Sequence, residues 1–332
     1  MARRALVCSG GGAKGSFQIG VLEELILTRG LDFQIFCGTS VGALNASFLA
    51  QARFDNQPEV SCNNLKDAFR TLRALWLEQI TGNGSVYRDR PLGLGGLLGG
   101  ADSLYDPAPL EDLLKRSLHP QALAQSNRML KIQYVALETG ELRTVDSHDP
   151  AIVQHVLASA TMPFFFPPVE VGGEHLVDGG LRDITPLGQA FQVEPPPDEI
   201  YVIYASPFAV ELVEFMDPWP GLRVNALDYL RRGVEILVDE VYQTDVRGAL
   251  RFNTLKQHWE RLKPLLAPED PSVRAIDDVL RPMRYAEIIE IKPDKHIIRN
   301  ALNFSPTKIR ENYEYGKEVA RALQWPAEQP VA

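Results

Sequence analysis

The run Phe33-Gln34-Ile35-Phe36-Cys37 reads as a buried strand, and it passes through Gly38-Thr39-Ser40-Val41-Gly42 straight into a small-residue helical stretch from Ala43 to Ala50. Few folds accommodate that joint, because strand and helix must pack on one layer within a single sharp turn. A serine at such a turn adopts a strained backbone, and its neighbours must lack bulk for the two elements to approach; Gly38 and Gly42 meet that demand. The Ser40 hydroxyl then stands at a helix N-terminus, where the dipole and unpaired amides favour developing negative charge. The same residue also suits a plain helix cap. On the turn alone, nucleophile and cap are both open.

A second constraint lies at the start of the chain. Ala5-Leu6-Val7-Cys8 reads as a strand that runs into Ser9-Gly10-Gly11-Gly12-Ala13-Lys14-Gly15, followed by the helical pattern of Phe17, Ile19, Val21, Leu22, Leu25 and Ile26. Consecutive glycine amides facing one cavity make an anion site, either for a phosphate or for the oxyanion formed when a serine attacks an ester. Gly10, Gly12 and Gly15 satisfy the dinucleotide pattern G-x-G-x-x-G, with Asp32 at roughly the distance of a ribose-binding acid. That acid should close the second strand, whereas Asp32 opens it. A Walker-type loop is excluded because Lys14 precedes the last glycine instead of following it. Further along, His175-Leu176-Val177-Asp178-Gly179-Gly180 is a short strand ending in a glycine turn, which leaves the Asp178 carboxylate at a strand terminus. An ordinary Asx turn has the same pattern.

Taken together, the glycine-rich loop, the G-x-S-x-G serine and the later Asp-Gly-Gly resemble the patatin-like phospholipase family in order and spacing. Ser103 to Leu110, Ala158 to Pro168 and the tail from Ile289 through Phe304 to Gly316 are similar as well, so the resemblance covers nearly the whole chain. It implies Ser40 as nucleophile, Asp178 as its base, and the amides of Gly10, Gly11 and Gly12 as an oxyanion hole. Lys14, Gly15, Gly38, Gly42, Gly179 and Gly180 support the loop and the elbow. The implied activity is a lipid acyl hydrolase of phospholipase A or lysophospholipase type, acting through an acyl-enzyme with no cofactor. One departure stands out: many relatives carry asparagine after the Asp-Gly-Gly turn, where this chain has Asp183-Ile184-Thr185-Pro186.

Alternating strands and helices imply an α/β fold with a central, largely parallel sheet covered by helices on both faces and a site at the carboxyl ends of its strands. The pattern places helices over Leu65 to Gln79, Leu110 to Ser117, up to Ala160, Leu222 to about Leu250, and Lys308 to Leu323. A hairpin is expected at Ile132 to Leu137 and Leu142 to Val145, with further strands at Ile200 and Ile288. No linker is visible, so one domain is expected over 1–332, with a core over about 5–205 and an extension over about 206–325.

Cys8, Cys37 and Cys62 do not form a disulfide framework, and Cys8 and Cys37 read as small buried hydrophobes of a reducing compartment. A cytoplasmic setting is expected, because Met1-Ala2-Arg3-Arg4 leads directly into the first strand with no room for a signal peptide, and no run approaches the ~20 apolar residues of a spanning helix. The formal charge of −9 gives no general attraction to nucleic acid or anionic lipid, so any peripheral contact with a membrane surface is expected to be local, transient or hydrophobic. No histidine or cysteine cluster has metal-ligand spacing. His175 lies three residues before Asp178, so strand alternation turns it away from that carboxylate, and His119, His148, His155, His258 and His296 have no catalytic context. A Ser-Asp dyad is therefore expected, again as the resemblance implies. Lys14 is read as a phosphate contact, as a loop anchor or as a solvated lysine at a helix N-terminus. Pro91 to Gly100 is read either as a mobile lid or as a core-packed loop, and Phe164-Phe165-Phe166 as acyl-channel wall or core. The same dyad would serve an acyl thioesterase or acyltransferase. A nucleotide-binding oxidoreductase would leave Ser40 and Asp178 idle, and a catalytically silent regulatory protein would need neither.

Overall fold

The computed structural model describes residues 2–90, 102–207, 226–281, 285–323 and 325. Its strands in chain order are β1 (Arg4–Cys8), β2 (Ile35–Gly38), β3 (Arg88–Asp89), β4 (Tyr105–Asp106), β5 (Met129–Ala136), β6 (Glu141–Asp146), β7 (Val169–Val171), β8 (Glu174–Asp178), β9 (Glu199–Ile203) and β10 (Glu287–Ile291). β3 and β4 form a separate two-stranded ribbon. The others make one sheet in the order β10-β9-β1-β2-β5-β8-β7, with β6 on the remaining edge of β5. The neighbours from β10 to β5 are parallel, and β6, β7 and β8 join antiparallel. The chain is thus a mixed α/β structure around a largely parallel sheet.

Side-chain alternation splits the core in two. Leu6 and Cys8 of β1 point into a cluster with Phe17, Leu22, Leu49 and Phe69, whereas Ala5 and Val7 point into a second with Leu187, Ala190 and Val246. Helices therefore cover both faces. On the first lie α1 (Ser16–Leu22), α2 (Val41–Ala50) and α3 (Pro58–Ala74). Next come α4 (Ala108–Ser117), α5 (Pro120–Gln125), α6 (Ile152–Ser159), α7 (Leu187–Phe191), α8 (Ala226–Leu262), α9 (Pro271–Leu280) and α10 (Pro306–Ala322). α10 returns to α1: Phe17 and Tyr315 rings lie 5.6 Å apart, and Asn312 donates to the Lys14 carbonyl at 3.1 Å and Ser16 Oγ at 2.9 Å. Residues beyond 206 thus contribute β10 to the sheet and α10 to the first core.

The expected hairpin is present as β5 and β6. The helix expected from Leu65 begins earlier, at Pro58, whose fixed φ suits a first helical turn, and it continues past α3 as a π-turn over Leu75–Gln79. The helix expected to stop near Leu250 runs to Leu262 in α8. Flanking prolines hide α9 in the sequence, yet its signal is an Asp-Pro start: Asp270 Oδ1 accepts the Ser272 amide at 2.7 Å with Pro271 in the first turn. The Pro91 to Gly100 stretch lies outside the described residues.

Asp32, the candidate ribose acid, has another occupation. The pairing Ala5↔Ile35 to Cys8↔Gly38 puts the glycine-rich loop beyond the C-terminal ends of the strands and Asp32 beyond the opposite ends. There its carboxylate meets Arg128 Nη1 at 2.7 Å. The Arg128 guanidinium also donates to the carbonyls of Ala52, Phe33 and Ser61, with no exposed side-chain surface. Removing one partner of such a pair leaves a buried charge uncompensated. Arg128→Met should therefore cost about 3–5 kcal/mol of unfolding free energy, measured by urea denaturation, and adding Asp32→Asn should recover part of it.

Candidate active site

Strand register brings the three motifs together. Cys8 and Ile132 both stand level with Gly38, on either side of β2, so the glycine loop leaves β1 where the Ser40 turn leaves β2. β6 pairs along residues 131–136 of β5, so β2 and β8 must share the other edge. β2 occupies it up to Ile132, and β8 comes down the same edge until Asp178 faces Tyr134. Asp178 therefore ends two residues beyond the end of β2, level with Ser40.

Ser40 has φ 55° and ψ −128°, a conformation that costs a β-carbon-bearing residue about 1–3 kcal/mol. The turn closes because its neighbours are glycines: a Cβ at Gly42 would overlap the Cys8 carbonyl, and one at Gly38 the Gly42 carbonyl. The serine side chain makes no capping bond to α2, so the plain-cap reading is set aside. The Ser40 N–H donates to Ser159 Oγ at 3.0 Å, and Asp178 N–H to the Thr161 carbonyl at 3.1 Å. One segment, the last residue of α6 and the turn that follows it, thus holds both residues.

Asp178 is buried, 2% exposed, while Ser40 remains partly open. Burial pushes the carboxyl up from 3.8 to about 7, against the Gly180 amide, which donates to Oδ1 at 2.7 Å, and the Ser40 side-chain hydrogen bond. Gly179 packs on the Gln133 carbonyl, which holds the turn against β5. The departure at Asp183 is accommodated locally: its Oδ1 accepts the Thr185 amide at 3.2 Å, and burial raises its proton affinity.

The glycine loop abuts Ser40. A methyl group at Gly10 would stand 3.0 Å from Ser40 Cβ and 2.8 Å from Ile184 Cγ1. The Gly10 N–H is already committed to the Ile184 carbonyl at 2.8 Å, so of the three amides expected in an oxyanion hole this one is not available. The Gly11 and Gly12 amides donate to no acceptor among the described residues. Gly12 has φ 57°, a region that favours glycine. Gly15 packs against Val41 at the start of α2. Lys14 Nζ donates to Ser206 Oγ at 3.2 Å, tying the loop to the segment after β9.

No histidine hydrogen-bonds Ser40 or Asp178 among the described residues. His175 turns to Glu138 (2.7 Å), and His155 stacks on Tyr134 and meets Asp149 Oδ1 at 3.1 Å. His296 is pushed down to about 4 by burial and then by Lys14 and Arg299. Phe165 and Phe166 are core, packed with Tyr87 and Tyr105, while Phe164 is half-buried at φ 76°. Cys8 and Cys37 are wholly buried, with the Cys37 thiol pushed up to about 12 by desolvation. Sequence reasoning assigns no role to Ser159 or Ile184. Their only signal is that each sits within a motif segment already singled out.

The family model of the patatin-like phospholipases matches residues 6–191, a range that contains the glycine loop, Ser40 and Asp178. The chain belongs to that family. It is also similar to the uncharacterised protein YjjU of Escherichia coli, with 46% identity over 56 residues, a match spanning 17% of this chain and 15% of that protein. Among solved structures it is similar to VipD from Legionella pneumophila at a TM-score of 0.40 and 14% identity, over 96% of this chain and 66% of VipD.

Burial of Asp178 links stability to pH. The carboxyl keeps its proton up to about pH 7 in the native state but releases it near 3.8 when unfolded, so between these values the native state binds more protons. Stability from this group is fully present below 3.8 and is lost as pH rises through about 7. Asp178→Asn should accordingly melt like the parent at pH 3.5 and a few degrees higher at pH 8, by roughly 2–4 °C for each kcal/mol removed. A parent melting temperature that rises between pH 5 and 8 relative to the variant would contradict the shift.

Proposed function

We propose that the protein is a lipid acyl hydrolase that releases fatty acids from phospholipids or lysophospholipids through a Ser40-Asp178 dyad and an acyl-enzyme. The observation that carries this reading is a strained, partly open serine beside a buried carboxylate whose proton affinity is tuned to about pH 7. An ordinary aspartate near ~3.9 is too weak a base for a serine hydroxyl, whereas a base near the working pH is matched to the task.

Ser40 Oγ attacks the acyl carbonyl carbon and its proton passes to Asp178. The carbonyl oxygen becomes an oxyanion held by the Gly11 and Gly12 amides at the start of the helical segment. Collapse of the tetrahedral intermediate breaks the ester C–O bond, and Asp178 returns the proton to the leaving alcohol. Water then attacks the acyl carbonyl, gives a proton to Asp178, and fatty acid leaves as that proton returns to Ser40. Esters and thioesters suit this weakly basic pair better than amides. Among the described residues no helix is long and apolar enough to cross a membrane, and contact with the lipid surface is proposed as peripheral.

Ser40→Ala should abolish both turnover and labelling by a fluorophosphonate probe, and Asp178→Asn should remove nearly all activity with the fold intact. In the parent, kcat/KM should fall on the acid side with an apparent pKa near 7, because only the ionised carboxylate accepts the proton. An acid limb near 4 would remove Asp178 as the tuned base. Fatty-acid release from a panel of phospholipids, lysophospholipids and acyl-CoA decides the substrate class, and turnover of the thioester alone would replace it.

A further inference from the structure

α1 is buried along its whole length, yet it carries Gln18 with no exposed surface. Burying a primary amide costs stability unless its donors and acceptor are matched. Here they are. Gln18 Nε2 donates to the Ser9 carbonyl at 2.8 Å and to the Ile203 carbonyl at 3.3 Å. Gln18 Oε1 accepts from Asn45 Nδ2 at 2.9 Å, and Asn45 Oδ1 accepts from Trp76 Nε1 at 2.9 Å. Asn45 is likewise fully buried, and it lies on α2, the helix that Ser40 opens.

The far end of this chain of bonds is a single peptide group. The Ser9 carbonyl that Gln18 binds and the Gly10 N–H that donates to Ile184 belong to the same peptide plane. Both edges of that plane are therefore fixed, and rotation at Gly10 sets where the next amide, that of Gly11, points. Beyond the two unpaired amides the loop is held again, by Ala13 N–H on the Ala301 carbonyl at 2.7 Å. The candidate oxyanion donors lie between these two clamps, with their own planes also held by Ser9 Oγ donating to the Gly10 carbonyl at 3.2 Å and Lys14 N–H to the Gly11 carbonyl at 3.2 Å, and the first clamp is bonded through Gln18 and Asn45 to the helix that Ser40 opens.

We infer that Gln18 and Asn45 are positioning residues that lock the glycine-rich loop to the nucleophile helix and so fix the Gly11 and Gly12 amides relative to Ser40 Oγ. Neither side chain touches the reacting atoms. Their effect is exerted through peptide orientation, and an oxyanion site depends steeply on it, since donors must stand within hydrogen-bond reach of the oxyanion before it forms. The inference rests on the acyl-transfer reading of Ser40 and the loop.

The test is kinetic, on a soluble short-chain ester at temperatures below each variant's melting transition, with circular dichroism on every protein. Gln18→Met keeps the volume and removes all three bonds. It should lower kcat by about tenfold to hundredfold with KM within about twofold, the signature of a lost transition-state interaction through small misplacement. The fluorophosphonate labelling rate should fall in proportion. Asn45→Leu leaves the Gln18 bonds to the loop in place, so it should show the same pattern with a smaller loss, and the double variant should be no worse than Gln18→Met. If Gln18→Met does not fold, Asn45→Leu alone decides the matter. A folded variant with kcat and labelling within about twofold of the parent, or a loss confined to KM, overturns the inference and leaves the network a purely structural one. Absence of Ser40-dependent labelling in the parent overturns the acyl-transfer reading, and this inference with it.

Discussion

β5 has β6 along one edge, and on the other it carries β2 up to Ile132 and then β8, running the opposite way, from Tyr134 onward. The two strands meet end to end, and the turn through Thr39 and Ser40 occupies the gap between them. This junction sets the site. A slip of one residue in the β5–β8 register would turn the Asp178 side chain to the other face of the sheet. The register is held from outside as well, by the Thr161 carbonyl on the Asp178 amide and by Gly179 against the Gln133 carbonyl.

That junction also sets the electrostatics. With the carboxylate closed off between β5, α6 and the Ser40 turn, water cannot solvate its charge, and the hydrogen bonds from Gly180 and Ser40 offset only part of the loss. In the proposed mechanism desolvation does the tuning for which many serine hydrolases use a histidine. It carries a cost in stability at neutral pH, added to the backbone strain at Ser40. The two buried cores on either face of the sheet offset both.

Much of this is legible in the sequence because it depends on local sterics. Gly38 and Gly42 are demanded by the approach of α2 to β2, and the apolar runs ending at Cys8 and Cys37 are the buried alternation of a covered parallel sheet. Asp178 is different: its motif fits an Asx turn equally well, and only the family resemblance singles it out, since antiparallel entry of β8 onto β5 is a long-range pairing that no local pattern encodes. The engaged Gly10 amide is hidden for the same reason, its acceptor Ile184 lying far along the chain. Gln18 and Asn45 leave a faint trace, as lone amides inside otherwise apolar helical stretches. The prolines around α9 obscure a helix whose Asp-Pro start is present throughout.

The central claim is that acyl groups pass through Ser40. The most direct measurement is peptide-resolved mass spectrometry after rapid acid quench of the protein turning over a fatty acyl ester. The account predicts a mass increase equal to the acyl group on the peptide containing Ser40, absent when Asp178 is replaced by Asn. Turnover with the acyl group on another residue, or with no covalent adduct during a kinetic burst, would contradict it.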